Sequence, residues 1–273
     1  MRTKNNNYIN LSFDKLRMTG DKLRMTIVFI IIMIFAFGVV SAAESVKKDE
    51  KYYREQGLTK FKQGKYSEAI SNYTKSIKIN SKYSVAFLER GLAYYMLNKN
   101  ENALKDLNKS IKLDGKNPLA FYNRALLYNR LNKPDSAILD YSKAIDLNPK
   151  FSEAYTNRGL SYKKIDKFQE AVQDFHKAIE YTPKKAMNYF NRATAYAKMN
   201  NIELAMNDFQ KALELEPNNL EVLYNRGLIY YRTGKNDLAL KDFENYIEKA
   251  KDNKNYKETI PGIGNIIKQL KEK

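Results

Sequence analysis

Between residues 152 and 185 the apolar positions keep a helical period, lose it once and regain it. Tyr155, Leu160 and Tyr162, with small Gly159 among them, share one helical face. Asp166 and Lys167 break the pattern, then Phe168, Ala171, Val172, Phe175, Ala178 and Ile179 form a second amphipathic stripe, and Pro183 follows it. The pattern predicts two helices joined by a tight turn. It returns along the chain in steps of 34 residues. One small-residue slot holds Gly57, Gly91, Ala125, Gly159, Ala193 and Gly227; another holds Ala69, Ala103, Ala137, Ala171, Ala205 and Ala239. A fixed period of this length describes a stacked array rather than one globular core.

The turn has its own slot. Gly64, Asn98, Asn132, Asp166, Asn200 and Gly234 close the first helix of each unit, and all are residue types that tolerate a left-handed backbone. Ser67, Glu101, Asp135, Gln169, Glu203 and Asp237 open the second helix, and four of these are acidic, which suits a helix N-terminus. Pro149, Pro183 and Pro217 punctuate unit ends.

With the motif Asn157-Arg158-Gly159 and Tyr162, copied at Asn123-Arg124-Ala125 with Tyr128, Asn191-Arg192-Ala193 with Tyr196 and Asn225-Arg226-Gly227 with Tyr230, the chain resembles the tetratricopeptide repeat family over about residues 50–253. The resemblance implies an all-α, right-handed superhelical solenoid of antiparallel helix pairs. Six repeats are expected at 50–83, 84–117, 118–151, 152–185, 186–219 and 220–253 within a segment 44–253, followed by a C-terminal capping helix in 254–273. It also implies that the first helices line a concave face.

Within each unit the small residues of the first helix are expected where it meets the second. Glycine inside a helix costs about 1 kcal/mol against alanine, so its recurrence calls for close helix approach. Tyr94, Tyr128, Tyr162, Tyr196 and Tyr230 are expected to fill the space beside it. Arg90, Arg124, Arg158, Arg192 and Arg226 share one slot, and Asp106, Asp140, Asp174, Asp208 and Asp242 share another. Both are missing together in the first unit, which carries Gln56 and Asn72. Joint change predicts an Arg–Asp ion pair tying the two helices of each later unit.

The ends differ from the middle. Lys60 and Lys51 make the first unit polar. At the other end Ile260, Ile263, Ile266, Ile267 and Leu270 form a helical stripe. Thr259 is the expected N-cap, with Pro261 in the first turn and Lys268, Lys271 and Lys273 facing water. Ahead of the array, residues 1–43 read as a leader. Lys22 and Arg24 precede the apolar run 27–40, and Ser41-Ala42-Ala43 follows it, the layout of a secretory signal peptide. The run falls short of the roughly 20 residues of a membrane span, although an uncleaved anchor through 27–43 is the alternative. No Cys follows it, so a lipoprotein anchor is excluded. Asp14–Thr19 recurs at Asp21–Thr26, which suggests translation from Met18 rather than Met1.

Composition narrows the chemistry. The 273 residues contain no Cys, no Trp and one His, and carry a net charge of +17. Disulfides, thiolate metal sites and His-pair metal sites are therefore absent, and no cofactor is expected. Loss of residues 1–43 leaves 42 basic and 29 acidic residues, a charge of +13 that favours acidic partners. An anionic membrane surface is a partner of that kind; nucleic acid is not expected for an exported chain.

Packing leaves some first-helix positions free. Asn123, Asn157, Asn191 and Asn225 form a ladder of primary amides, each both donor and acceptor. Such a ladder holds the backbone of an extended peptide whatever its sequence, and is similar to those in the repeat arms of O-linked N-acetylglucosamine transferases. Tyr122, Phe190 and Tyr224 lie beside it, with Tyr95 and Tyr231 a turn away, giving a surface for an extended segment or an amphipathic helix. The paired Lys, Asn and Arg positions of the family's carboxylate clamp are not filled. His176 falls in a slot occupied elsewhere by Thr74, Asn108, Ser142, Gln210 and Glu244, and reads as a solvated side chain without nucleophile or orienting partner. The expectation is a non-enzymatic, exported scaffold that binds a protein segment, as periplasmic members of the family do in envelope assembly. The alternative is a basic adaptor held to anionic lipid or glycan.

Overall fold

The computed structural model describes residues 48–256 and 258–272. The expected signal peptide, its anchor alternative, the early start and Lys273 lie outside the described residues. Among the described residues thirteen α-helices run in order: α1 Glu50–Lys62, α2 Tyr66–Ile79, α3 Ser84–Met96, α4 Asn100–Leu113, α5 Pro118–Arg130, α6 Pro134–Leu147, α7 Ser152–Lys164, α8 Phe168–Tyr181, α9 Ala186–Lys198, α10 Ile202–Leu215, α11 Leu220–Arg232, α12 Asn236–Ala250 and α13 Ile260–Lys271. Among the described residues there is no strand. No described helix is long and apolar enough to cross a membrane.

Odd- and even-numbered helices up to α12 pair as antiparallel hairpins, and each hairpin packs on the next. The turn within each hairpin depends on one residue of positive φ: Gly64 at 74°, Asn98 at 57°, Asn132 at 58°, Asp166 at 59°, Asn200 at 61° and Gly234 at 73°. These are the six positions that the sequence pattern marks, and the left-handed residue reverses the chain in a few residues. Between hairpins, Asn80, Asp114 and Asn148 each accept from the backbone N–H two residues on, which bends the chain toward the next unit. Asp49, Asn117 and Asn219 then cap α1, α5 and α11.

The core runs the length of the array. Ala69, Ala103, Ala137, Ala171, Ala205 and Ala239 are all fully buried, so each hairpin closes on a buried methyl group. The slot beside the small residues of the first helices differs from expectation. A Cβ added at Gly57, Gly159 or Gly227 would meet Tyr73, Phe175 or Phe243 at 2.6–2.8 Å, and one at Gly91 would meet Leu107 at 3.1 Å. The group that needs the glycine is therefore a large side chain 16 residues on, from the second helix. The tyrosines Tyr94 to Tyr230, one turn along the first helix, are only half-buried.

The ends are closed differently. Arg54 on α1 makes a bidentate pair with Glu89 on α3, so the first hairpin is pinned to the second although it lacks the Arg–Asp pair. At the far end α13 packs on α12, with Ile263 and Leu270 buried and Ile260, Ile266 and Ile267 against the same core. Thr259 does not cap it. Its hydroxyl donates to Tyr256 O at 2.7 Å and lies 2.6 Å from the Tyr246 hydroxyl, which outcompetes the helix terminus. Lys268 is solvated, while Lys271 returns to Glu244 of α12 at 2.6 Å.

Candidate functional site

Five arginines organise the joints between repeats. Arg90, Arg124, Arg158, Arg192 and Arg226 each donate through Nε and Nη2 to the two oxygens of the aspartate in their own hairpin, at 2.6–2.9 Å. The partners are Asp106, Asp140, Asp174, Asp208 and Asp242, all buried. Nη1 reaches backward to the preceding hairpin and donates to Thr74, Asn108, Ser142 or Gln210 at 2.7–3.0 Å, and lies 3.2 Å from His176 Nδ1. The slot read as plain solvated surface is thus the acceptor slot of the next repeat, and His176 belongs to it. Among the described residues no hairpin precedes the first, which matches Gln56 and Asn72 there. Each guanidinium also lies 5.6–6.0 Å from ring centroids of its own helix. Tyr94, Tyr128, Tyr162, Tyr196 and Tyr230 are among these rings, so this tyrosine slot covers arginines.

Burial lifts the Asp174 carboxyl above the usual carboxylate range in spite of the guanidinium beside it. The pair therefore fixes how helices meet more than it adds to stability. With their donors engaged, the arginines are not available as a binding stripe.

The surface left over is the wall made by odd-numbered helices. From α1 to α9 successive odd helices approach one another directly, whereas successive even helices stand further apart, so the odd helices lie on the concave side. On this wall Asn123, Asn157 and Asn225 each donate one amide proton to the carbonyl four residues earlier, at 2.7–2.9 Å. The second amide proton of Asn157 meets Tyr122 Oη at 2.9 Å, which ties the ladder to the aromatic row. Asn123 and Asn225 keep an acceptor oxygen and one proton for something else. Asn191 stands apart: it is 5% exposed, and its backbone carbonyl accepts from the Thr194 hydroxyl.

The rings lean on the core rather than stand free. Tyr122 packs on Phe151 and Tyr141, Phe190 on Phe209, and Tyr224 on Tyr246, with centroids 4.8–6.1 Å apart. Burial raises the Tyr122 phenol above its ordinary range. Tyr95 lies 3.3 Å under the Arg130 guanidinium, and Tyr231 reaches Gln269 of α13 at 3.4 Å. Both outer tyrosines thus have partners within the chain.

Between Tyr95 and Tyr231 the same slot holds Asn129, Lys163 and Ala197. Sequence reasoning passed over Lys163. Its ammonium is drawn in to Thr194 Oγ1, and burial, then the nearby Lys198, bring its pKa down to about 8. The available signal was a lone lysine in a slot of tyrosine, amide and alanine. Among the described residues no group of three His, Cys, Asp or Glu side chains is placed to hold a metal.

Comparison with known proteins agrees with this architecture. Family models described as TPR repeat and tetratricopeptide repeat match residues 57–98, 91–132, 118–151, 152–185, 193–234 and 221–253. The chain belongs to the tetratricopeptide repeat family. No curated protein matches it at a significant level. Among solved structures it is similar to the MamA protein, with 26% identity, 62% of this chain and 92% of that chain covered, and a TM-score of 0.56. YrrB, described as a TPR protein with an unusual peptide-binding site, shares 22% identity over 68% of this chain and 96% of its own, at a TM-score of 0.58. The APC/C hetero-tetramer Cut9–Hcn1 shares 15% identity over 84% of this chain and 44% of that one, at 0.63. The last two likenesses concern fold alone. A tetratricopeptide array of this build is a protein–protein interaction scaffold.

Proposed function

We propose that this chain is an exported scaffold that holds an extended or helical segment of a partner protein along its concave wall during assembly of the cell envelope. The observation that carries the reading is the division of labour on the odd helices. The arginines are spent on joints, while Asn123, Asn157 and Asn225 keep amide capacity beside the aromatic row of Tyr122, Phe190 and Tyr224. The peptide-binding site named for YrrB supports the same use of the fold. Export is supported by the apolar run 27–40 behind Lys22 and Arg24.

The test has two arms. Cell fractionation with N-terminal sequencing of the mature chain reads export; a chain retained in the cytoplasm with residues 1–43 intact would end that part. Recovery of partners from envelope extract is compared between wild type and Asn123→Ala/Asn157→Ala/Asn225→Ala. Equal recovery of every partner removes the ladder from the account. The charge of +13 that remains without residues 1–43 favours a second reading, an adaptor held to anionic lipid or glycan. Binding of that kind collapses between low and high salt, whereas groove binding persists.

A further inference from the structure

Lys163 sits in the last turn of α7 and donates to Thr194 Oγ1 on α9 at 2.5 Å. That hydroxyl already donates to Asn191 O at 2.8 Å, so it offers the ammonium only a lone pair. Two of the ammonium protons are left without a partner. Among the described residues no carboxylate pairs with Lys163, and the charged group that acts on it is another cation, Lys198. Partial burial and this neighbour bring its pKa down to about 8, the direction expected for a positive charge partly withdrawn from water with no anion beside it.

The surroundings extend the positive charge. Lys62, Arg130, Lys164, Lys198 and Arg232 share one slot in the last turns of odd helices. Cations there complement the helix dipole, which accounts for the slot but not for a half-buried ammonium placed beside it. Arg130 is engaged with the Tyr95 ring and Asn98. Lys198 and Arg232 are exposed and make no ion pair among the described residues. Together with Thr194, Asn225 and Leu228 they line a cleft of about 260 Å³ between α9 and α11.

We propose that repeats four to six select an acidic stretch of the partner, one Asp or Glu carboxylate bridging Lys163 and Lys198 and a second meeting Arg232 across the cleft. This rests on the concave wall being the segment-binding surface. The occupant is an internal segment rather than a chain end, because Lys163, Lys198 and Arg232 come from three successive repeats, 35 and 34 residues apart, whereas a terminal carboxylate brings a single charge. Asn225 then meets the backbone between the two acidic residues.

A display library of random peptides of roughly twelve residues, flanked on both sides by carrier, tests the assignment, alongside a second library with a free C-terminus. Both are selected on the full chain, on Lys163→Met, on Lys198→Ala/Arg232→Ala and on the outer-face control Lys105→Ala/Lys109→Ala. On wild type, the internal library becomes enriched in Asp and Glu. A selected peptide loses at least about tenfold in affinity when its acids become amides or when Lys163 becomes Met, as expected on breaking a desolvated charge pair. The outer-face control changes its affinity by less than about twofold, as expected for screened surface charge. Lys163→Met melts no lower than wild type, which separates lost binding from lost folding. Selected peptides without acid enrichment overturn the proposal and leave the groove reading standing. Enrichment confined to free C-termini, or equal loss in the outer-face control, also overturns it. Selection of nothing above empty carrier overturns both.

Discussion

Replacing Arg158 by Gln removes the guanidinium from an aspartate that is only 4% exposed. Two bonds at 2.9 and 2.8 Å vanish from Asp174, and the 2.8 Å bond to Ser142 of the previous hairpin goes with them. Breaking a buried pair by removing one partner costs about 3–5 kcal/mol. The Arg158 side chain is 18% exposed, so the lower end, about 3 kcal/mol, is expected here. Asp174→Asn is milder, about 1–2 kcal/mol, because the arginine still reaches Ser142 and water. The double change Arg158→Gln/Asp174→Asn recreates the Gln56 and Asn72 of the first repeat and leaves no buried charge. It should cost about 2 kcal/mol, well short of the sum. Urea unfolding followed by circular dichroism measures the cycle. Since an array is held by neighbour interfaces, Arg158→Gln should also broaden or split the transition at the fourth repeat. The pH dependence has a definite sign. The Asp174 carboxyl is already raised by burial, and loss of Arg158 raises it further. Between its unfolded and folded values the folded state holds a proton that the unfolded state does not, so stability rises as pH falls through that window. The deficit of Arg158→Gln should therefore shrink on acidification. Additivity of the single changes within about 0.5 kcal/mol would refute the pairing energetics.

Further measurements probe other joints. Lys163 carries a folded pKa of about 8 against an ordinary 10.5, so between these values the unfolded state binds the extra proton and stability climbs with pH. Lys163→Met should abolish that climb and gain up to roughly 2–3 kcal/mol at neutral pH; a loss of stability would show that the ammonium has a structural role. Gly262 and Gly264 lie within α13 with open space where a Cβ would go, so Gly262→Ala and Gly264→Ala should each stabilise by up to about 1 kcal/mol in thermal melts. Asn200 holds φ at 61°, so Asn200→Gly should be neutral or stabilising while Asn200→Ala costs about 1 kcal/mol. Ile263→Ala should cost about 2–5 kcal/mol and loosen α13 from α12, read as early proteolysis of the C-terminal helix.

What could be read from residue types alone divides by the range of the interaction. The six turn residues were legible because a left-handed backbone is a local demand that few residue types meet. The Arg–Asp pair was legible because the chain contains its own comparison: Gln56 and Asn72 change together where five other repeats keep both partners. The backward bond of the same arginines was not. Thr74, Asn108, Ser142, His176 and Gln210 share only the ability to accept a hydrogen bond, so the slot has function without a constant residue. Nor was the ring beside the glycines, because Tyr73, Leu107 and Phe175 differ in chemistry and resemble one another only in bulk. Lys163 escaped notice for the opposite reason. It occurs once, and its meaning depends on a hydroxyl 31 residues away.

The same division bears on function. The glycine, alanine, arginine and aspartate slots that recur every 34 positions are committed to stacking, and their side chains or the space beside them are taken up by neighbouring helices. A partner can be distinguished only through positions on the odd helices that change from repeat to repeat. Tyr122 bonded to Asn157, Asn191 withdrawn from the ladder, and Lys163 drawn in toward Thr194 are three such departures, and all fall within repeats three to five. A uniform ladder would grip any backbone equally along its length. Departures concentrated in the middle repeats instead make the wall unequal along its length, with Lys163 added beside the amide and aromatic rows.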